Sequence, residues 1–128
     1  MKHVVPFLIL FLLFPLYGFA QGDRGAEEQI FLQKKKTHTG HIEHYQMADM
    51  PDAVYYDSEA GEIIIVADGT SLYYNVEIVR DNLNLTVIST QVDGYGDTID
   101  VSALPSGSYT IVITSQYLNE YEGTFYIQ

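Results

Sequence analysis

Two groups of side chains in this sequence have residue types that can bind a metal ion. His38, His41 and His44 recur at every third position, with Glu43 beside the last of them. Imidazole nitrogens and carboxylates are common ligands of transition metals. The spacing does not favour a metal site. On a strand, residues three positions apart point to opposite faces, and on a helix each step of three residues moves the side chain around the axis. We therefore interpret residues 37–50 as a polar connector.

The second group is a pair of aspartates around one turn. Asp93 and Asp97 flank Gly94-Tyr95-Gly96, and carboxylate oxygens are preferred ligands of Ca²⁺. Two carboxylates are too few for a calcium site, and Asp-Gly sequences are common in hairpin turns. The alternative function is nevertheless a calcium-stabilised structural protein of the cell envelope, with Asp93 and Asp97 as candidate metal ligands.

The residue types in the sequence give little support for a catalytic function. The chain has no cysteine, and its only histidine outside the connector is His3. A hydrolytic triad needs a base that the fold holds rigidly against the nucleophile. We therefore predict that the protein is not an enzyme and uses no cofactor.

Tyrosine is the most suggestive surplus, with eleven in the chain and no tryptophan. Tyr95, Tyr117 and Tyr121 fall in or beside two predicted turns, which we expect at the same end of the domain. Tyrosine suits contacts with proteins or sugars because it combines an apolar ring with a polar hydroxyl. We predict that these three residues bind an unknown protein or glycan at the cell envelope. The alternative is that exposed tyrosines only cover a thin domain.

Alternation of apolar and polar residues dominates the chain from Pro51 onward. The apolar run over residues 62–67 predicts a central strand covered on both faces. No window has a helical period. The pattern predicts an all-β, immunoglobulin- or fibronectin-like antiparallel sandwich of about seven strands. The predicted strands are residues 53–56, 62–67 and 73–80, one lined by Leu83, Leu85 and Val87, one with Ile99 and Val101 inward, one with Tyr109, Ile111 and Ile113 inward, and one ending with Phe125 and Ile127.

The sequence Leu-Pro-Ser-Gly-Ser-Tyr at residues 104–109 predicts a crossing between two sheets. Pro105 fixes φ, and Gly107 tolerates a positive φ, as a tight crossing needs. Tyr109, at the start of the penultimate strand, can donate its hydroxyl back to the preceding backbone, which is the tyrosine-corner arrangement. We predict a structural role for these three residues.

The N-terminus is typical of a secretory signal peptide over residues 1–20. Lys2 and His3 precede a nearly continuous apolar run, and Gly18-Phe19-Ala20 offers small residues before a cleavage site at Gln21. The stretch contains Pro6 and Pro15 and is shorter than the ~20 apolar residues that span a bilayer. We therefore expect a periplasmic or secreted protein without membrane insertion after cleavage.

The region between the signal peptide and Pro51 is predicted to be an N-terminal extension over residues 21–50. Residues 21–28 are rich in glycine and glutamate and are expected to be disordered, with nothing to bury. Residues 30–32 are apolar and predict one short strand, followed by the polar connector. The sandwich domain is then expected over residues 51–128.

The mature chain is strongly acidic. Loss of Lys2 with the signal peptide leaves five basic residues against 17 acidic ones, a formal net charge of −12. Arg80 is the only basic residue after Pro51. Such a surface repels phosphate backbones and anionic headgroups, so nucleic acid is excluded as a partner.

Several of these features together resemble the domain-of-unknown-function 3244 family, small secreted proteins of gut-dwelling bacteria. The resemblance rests on the signal peptide, the 30–32 segment, Pro51, the crossing at 104–110, and the closing Leu118 and Gly123-Thr124-Phe125. It implies an immunoglobulin-like sandwich without an assigned activity. It therefore supplies no catalytic residues, and a non-catalytic extracytoplasmic binding or interaction module is the function that we predict.

Overall fold

The computed structural model describes residues 26–35 and 49–128. The predicted signal peptide and the cluster of His38, His41 and His44 lie outside the described residues. The described residues contain no helical element, and none of them forms a helix long and apolar enough to cross a membrane. Nine strands are present: β1 (Glu27–Gln29), β2 (Gln33–Lys34), β3 (Ala53–Asp57), β4 (Glu62–Val66), β5 (Tyr73–Arg80), β6 (Leu85–Asp93), β7 (Gly96–Asp100), β8 (Gly107–Ser115) and β9 (Glu120–Ile127).

The strands form two antiparallel sheets that pack face to face. One sheet has the order β1-β3-β4-β7, and the other has the order β2-β9-β8-β5-β6. This arrangement confirms the predicted all-β, immunoglobulin-like sandwich, with nine strands rather than seven. The two additional strands, β1 and β2, are three and two residues long, too short to show a period of two.

The segment over residues 30–32 is not the strand that the sequence predicted. It connects β1 in one sheet with β2 in the other, and the Ile30 N–H donates to the Val54 carbonyl at 2.7 Å. Ile30 is buried against Gly123, where an added Cβ would lie 2.6 Å from the isoleucine Cγ2 atom. The apolar character of the segment therefore reflects a crossing between sheets that a glycine accommodates.

Strand β1 also corrects the predicted disorder at the end of residues 21–28. Glu27 pairs with Asp57 and Glu28 with Tyr56, so backbone hydrogen bonds order these two glutamates without burying them. Both short strands lie before Pro51, where the sequence placed the start of the sandwich. The described part of the N-terminal region thus contributes an outer strand to each sheet.

Strand β4 is central in its sheet but is not covered on both faces as predicted. Ile63 and Ile65 are buried, Ile64 is half-buried, and Val66 is exposed. The reason is the two-layer architecture, because only one face of the sheet has another sheet against it. Isoleucine and valine on the outer face reflect the preference of β-branched side chains for strands.

Strand β6 departs from the predicted pattern because it is the outermost strand and carries a bulge. The register with β5 shifts between Ile78 and Val79, which leaves an extra residue on β6. Leu83 precedes the strand, and both Leu83 and Leu85 are largely exposed. Val92 is the buried residue of β6.

The core lies between the two sheets and follows the predicted alternation. Phe125 packs against two tyrosine rings, with centroid distances of 5.4 Å to Tyr56 and 5.6 Å to Tyr109. Such ring pairs add about 0.5–1.5 kcal/mol beyond area burial. The inward residues predicted from the sequence are buried: Ile99, Val101, Tyr109, Ile111, Ile113, Phe125 and Ile127.

The crossing before β8 has the tyrosine-corner contact that the sequence predicted. The buried Tyr109 hydroxyl donates to the Pro105 carbonyl at 2.6 Å. Gly107 has φ 151°, and Arg80 Nη2 donates to the Ser106 carbonyl at 3.1 Å beside it. The crossing is therefore held by one phenol and one guanidinium.

Replacing Tyr109 by phenylalanine tests this contact. We expect the free energy of unfolding to fall by about 0.5–1.5 kcal/mol with the fold retained, because one buried hydrogen bond is lost. Urea denaturation measures the change. The control is Tyr126→Phe, on the exposed face of β9. Equal effects of the two substitutions would contradict a structural role for the Tyr109 hydroxyl.

Candidate binding surface

Three loops meet at one end of the sandwich. Tyr73 of β5 pairs with Asp93 of β6, and Tyr74 pairs with Ser115 of β8. The start of β5, the end of β6 and the end of β8 are therefore level with one another. We call the connections at this end, residues 67–72, 94–95 and 116–119, the apical loops. They include Tyr95 and Tyr117, which the sequence placed at a common end.

Hydrogen bonds join the apical loops to one another. Gly94 N–H donates to the Leu72 carbonyl and Gly69 N–H donates to the Gly94 carbonyl, both at 2.9 Å. Leu72 N–H donates to Gln116 Oε1 at 2.6 Å, and Gln116 N–H donates to Ser71 Oγ at 2.9 Å. The three loops thus behave as one preorganised surface rather than as separate turns.

Large apolar and aromatic side chains project from this surface. Leu72 is 71 % exposed, Tyr95 75 %, Tyr117 60 % and Leu118 76 %. We call these four residues the apolar apex. The Tyr95 ring lies over Gly69, where an added Cβ would be 2.5 Å from the tyrosine Cζ atom. The absence of a side chain at Gly69 therefore permits the position of this exposed ring.

Leu118 has an unfavourable backbone conformation for its residue type. Its N–H donates to the Ser115 carbonyl at 2.9 Å, and its φ is 69°, in the left-handed region. That region costs an ordinary L-residue roughly 1–2 kcal/mol, and glycine or asparagine usually occupies it. A largely exposed leucine in this conformation has no core packing to offset the cost, which is a pattern found at functional sites.

Tyr121 does not belong to the exposed surface that the sequence predicted. It is fully buried, because the inward positions of β9 are 121, 123, 125 and 127. Its hydroxyl donates a short hydrogen bond to Asp49 Oδ1. The sequence predicts Tyr121 beside the loop and facing outward, whereas β9 already begins at Glu120 and directs Tyr121 into the core.

Asp49 is a buried carboxylate directly beneath the apical loops, only 4 % exposed. Its Oδ2 atom accepts hydrogen bonds from Ser115 Oγ at 2.5 Å and from Asn119 Nδ2 at 2.9 Å. Its main-chain carbonyl accepts from the Tyr74 hydroxyl at 2.8 Å. These contacts fix the base of the β8–β9 turn.

The Asp49 environment keeps both tyrosines in the hydroxyl form. Burial, with the added effect of the Asp49 charge, raises the pKa of Tyr74 to about 12. Burial first, and then the hydrogen bond to Asp49, raises the pKa of Tyr121 well above its usual value. Both phenols are therefore hydrogen-bond donors at neutral pH.

Sequence reasoning missed Asp49, which it assigned to the polar connector. Neighbouring residues show no alternation, and a single aspartate two positions before a proline resembles any loop aspartate. Its partners are 25 to 72 positions away in sequence. The only local signal was Pro51, which marks where the extended chain enters β3.

The two candidate calcium ligands are engaged in local hydrogen bonds. Asp93 Oδ1 accepts from Tyr95 N–H at 2.7 Å, and Asp97 Oδ1 accepts from Thr98 N–H at 2.9 Å. Within residues 26–35 and 49–128, no group of three or more histidines, cysteines or carboxylates is placed to hold a metal ion. Asp93 therefore has a clear role as a turn-stabilising acceptor at the apical loops.

Two neighbouring cavities lie at the end opposite the apolar apex, with volumes of about 430 and 410 Å³. They share Tyr56, Ser58 and Gln128 in their linings, which contain no histidine, lysine or arginine. Ser58 Oγ donates to the Ala26 carbonyl at 3.3 Å and not to a base. This hydroxyl is thus not arranged as an activated nucleophile.

Comparison with known proteins shows the fold. No protein-family model matches the sequence, and no curated protein matches it significantly. A structure that is similar is that of a DUF3244 family protein with an immunoglobulin-like β-sandwich fold from Bacteroides vulgatus ATCC 8482. The TM-score is 0.62 at 13 % sequence identity, over 80 % of this chain and 99 % of that chain. The two sheets of this protein thus form the immunoglobulin-like fold of the DUF3244 structure, as the sequence resemblance implied.

Proposed function

We propose that the protein is a non-catalytic extracytoplasmic module that binds a protein or glycan of the cell envelope through its apolar apex. The observation that carries the proposal is the joining of three loops into one surface that exposes Leu72, Tyr95, Tyr117 and Leu118. Grouped exposed apolar residues with a polar rim are typical of interaction sites.

The rigidity of the surface supports a binding role. Hydrogen bonds between the loops fix the backbone before a partner arrives, so less conformational entropy is lost on binding. The strained backbone at Leu118 also supports a binding role, since glycine would adopt this turn conformation at a lower cost. The leucine side chain adds exposed apolar area and contributes nothing to the core.

The chemistry of the surface suits a partner with both apolar and hydrogen-bonding groups. Tyr95 and Tyr117 each present a ring and a hydroxyl, and Asp68 and Asp93 lie in the same apical region. Aromatic residues of this type dominate the energetics of many interfaces. A sugar or an uncharged to basic protein patch matches this surface better than an anionic ligand does.

The proposed location rests on the predicted signal peptide at residues 1–20. Export would place the apolar apex in the periplasm or outside the cell. Envelope glycans and envelope proteins are the partner classes available there.

The experiment is a binding screen of the mature chain against a glycan array and fractionated envelope proteins. The test variant combines Tyr95→Ala, Tyr117→Ala and Leu118→Gly. We expect it to weaken the binding detected for the unmodified chain about a hundredfold or more, because truncating a hot-spot tyrosine at an interface costs about 2 kcal/mol or more. Its melting temperature should not fall, since all three side chains are exposed and glycine relieves the strained backbone at position 118.

The control variant combines Leu83→Ala and Tyr126→Ala, two exposed side chains away from the apical loops. We expect it to bind like the unmodified chain. Unchanged binding by the apex variant, or an equal loss in both variants, would overturn the assignment of the apolar apex. Absence of any binding partner in both screens would count against the binding function itself.

A further inference from the structure

Strand β6 forms one outer edge of the five-stranded sheet. It is nine residues long, and among the described residues its only strand partner within the sheet is β5. The backbone groups on its other side are therefore available to a further strand. Long outer strands of this kind favour pairing with another chain unless charge, proline, a bulge or a cover prevents it. The bulge of β6 lies near its start, between Thr86 and Ile88, and leaves the rest of the strand regular.

The other outer strands of the sandwich carry charge. Strand β1 has Glu27 and Glu28, β2 has Lys34, and β7 has Asp97 and Asp100. Residues 82–92 contain no charged residue and no proline, although the chain has a formal net charge of −11. Strand β6 is thus the one outer strand of the described sandwich that lacks a charge until its last residue.

An apolar strip accompanies the uncharged edge. Leu83 and Leu85 are 59 % and 53 % exposed, and Val87 and Ile88 are only partly buried against the margin of the core. Ile88 pairs with the buried Ile78 and so points to the same side of the sheet as the core. The strip therefore extends the apolar face of the sheet to its edge.

We propose that β6 pairs with β6 of a second copy of this chain, antiparallel and about a two-fold axis perpendicular to the sheet. Two five-stranded sheets would then become one continuous sheet. This axis keeps the core-facing sides of the two sheets on the same side, so the apolar strips of the two copies lie next to each other. In this arrangement the apolar strip of each copy packs beside that of the other copy. The free backbone groups of each β6 form hydrogen bonds with β6 of the other copy.

Charge also favours a second copy at this edge. Two strongly acidic chains repel each other wherever carboxylates face carboxylates. Contact through residues 88–92 brings together the one outer strand of the described sandwich that has no charged residue over that length. The pairing leaves the apical loops outside the contact, so this inference does not rest on the proposed function.

The experiment is sedimentation of the mature chain over a concentration series, with hydrogen exchange followed at the same concentrations. We expect a reversible dimer and slower exchange of β6 amides as the dimer forms. The edge variant combines Ser89→Glu and Gln91→Glu, both exposed and on the outer face of the sheet. It should weaken dimerisation about tenfold or more, because like charges then face each other across the pair.

The matched control combines Thr124→Glu and Tyr126→Glu on β9, which adds the same charge at the same spacing near the opposite edge of that sheet. We expect the control to dimerise more strongly than the edge variant. A monomer at every concentration would overturn the proposal, as would a dimer that both variants weaken equally. A monomer with protected β6 amides would instead indicate that another segment of the same chain covers the edge.

Discussion

Replacing Asp49 by alanine is expected to lower the free energy of unfolding by about 3 kcal/mol. The substitution leaves the Tyr121 hydroxyl, the Ser115 hydroxyl and the Asn119 amide without their acceptor. Each buried donor left unpaired costs about 1–3 kcal/mol, and removing the buried charge offsets part of that cost. Chemical denaturation of the chain over residues 21–128 measures the difference.

Two further variants separate the hydrogen bonds from other effects. Asp52→Ala removes an exposed carboxylate three residues away and should change stability by less than about 0.5 kcal/mol. Asp49→Asn keeps the shape and one acceptor oxygen, so its effect should fall between those of the two alanine substitutions. An Asp49→Ala protein as stable as the Asp52→Ala protein would show that the buried network is not stabilising.

The consequence of the Asp49 network extends to the apolar apex. Ser115 and Asn119 flank the turn that carries Tyr117 and Leu118. Loss of the carboxylate should therefore loosen this turn more than the loops at the opposite end. Lys35 N–H also donates to the Glu120 carbonyl at 2.9 Å, so the described residues on both sides of 36–48 are anchored beside the start of β9.

Replacing Gly94 by alanine is expected to cost about 3 kcal/mol or more. An added Cβ would lie 1.8 Å from the Ser71 carbonyl oxygen and 2.7 Å from the carbonyl carbon of Leu72. These atoms belong to the backbone, so no side-chain rotation can relieve the overlap, and the apical loops must separate. The hydrogen bonds of Gly94 with Leu72 and Gly69 would be lost or distorted at the same time.

Thermal unfolding and the binding assay together test the Gly94→Ala protein. We expect a lower melting temperature and loss of apical binding at temperatures where the sandwich is still folded. The control is Asn82→Ala, an exposed turn residue at the other end of the sandwich, which should leave both measurements nearly unchanged. Normal stability of the Gly94→Ala protein would mean that the loops are not packed as closely as described.

The inward-facing core residues were predictable because apolar and polar residues alternate along each strand. Tyr109, Ile111 and Ile113 have a period of two, and an amphipathic strand has only one way to bury its apolar face. The tyrosine corner was likewise predictable, since Pro105 and Tyr109 are four residues apart and form their contact within one crossing. Patterns of this kind depend on neighbours in sequence and need no knowledge of the rest of the fold.

The candidate site was only partly predictable for the opposite reason. Tyr95 and Tyr117 could be assigned to turns, but alternation at the loop boundary did not show that Tyr121 is already inside β9. Leu72 and Leu118 are isolated apolar residues in loops. Sequence alone does not distinguish such exposed residues from core residues. Their common surface exists because strand pairing brings three distant loops together.

Sequence patterns were enough to predict the class of fold, the inward positions of most strands and the tyrosine corner, because each follows from residues close along the chain. The three-dimensional structure was needed to show the two short outer strands, the burial of Asp49 and the apolar apex. The partners of Asp49 lie up to 72 positions away, and β1 and β2 are too short to show a pattern. Such features arise from long-range pairing, which imposes burial on residues that carry no local sign of it.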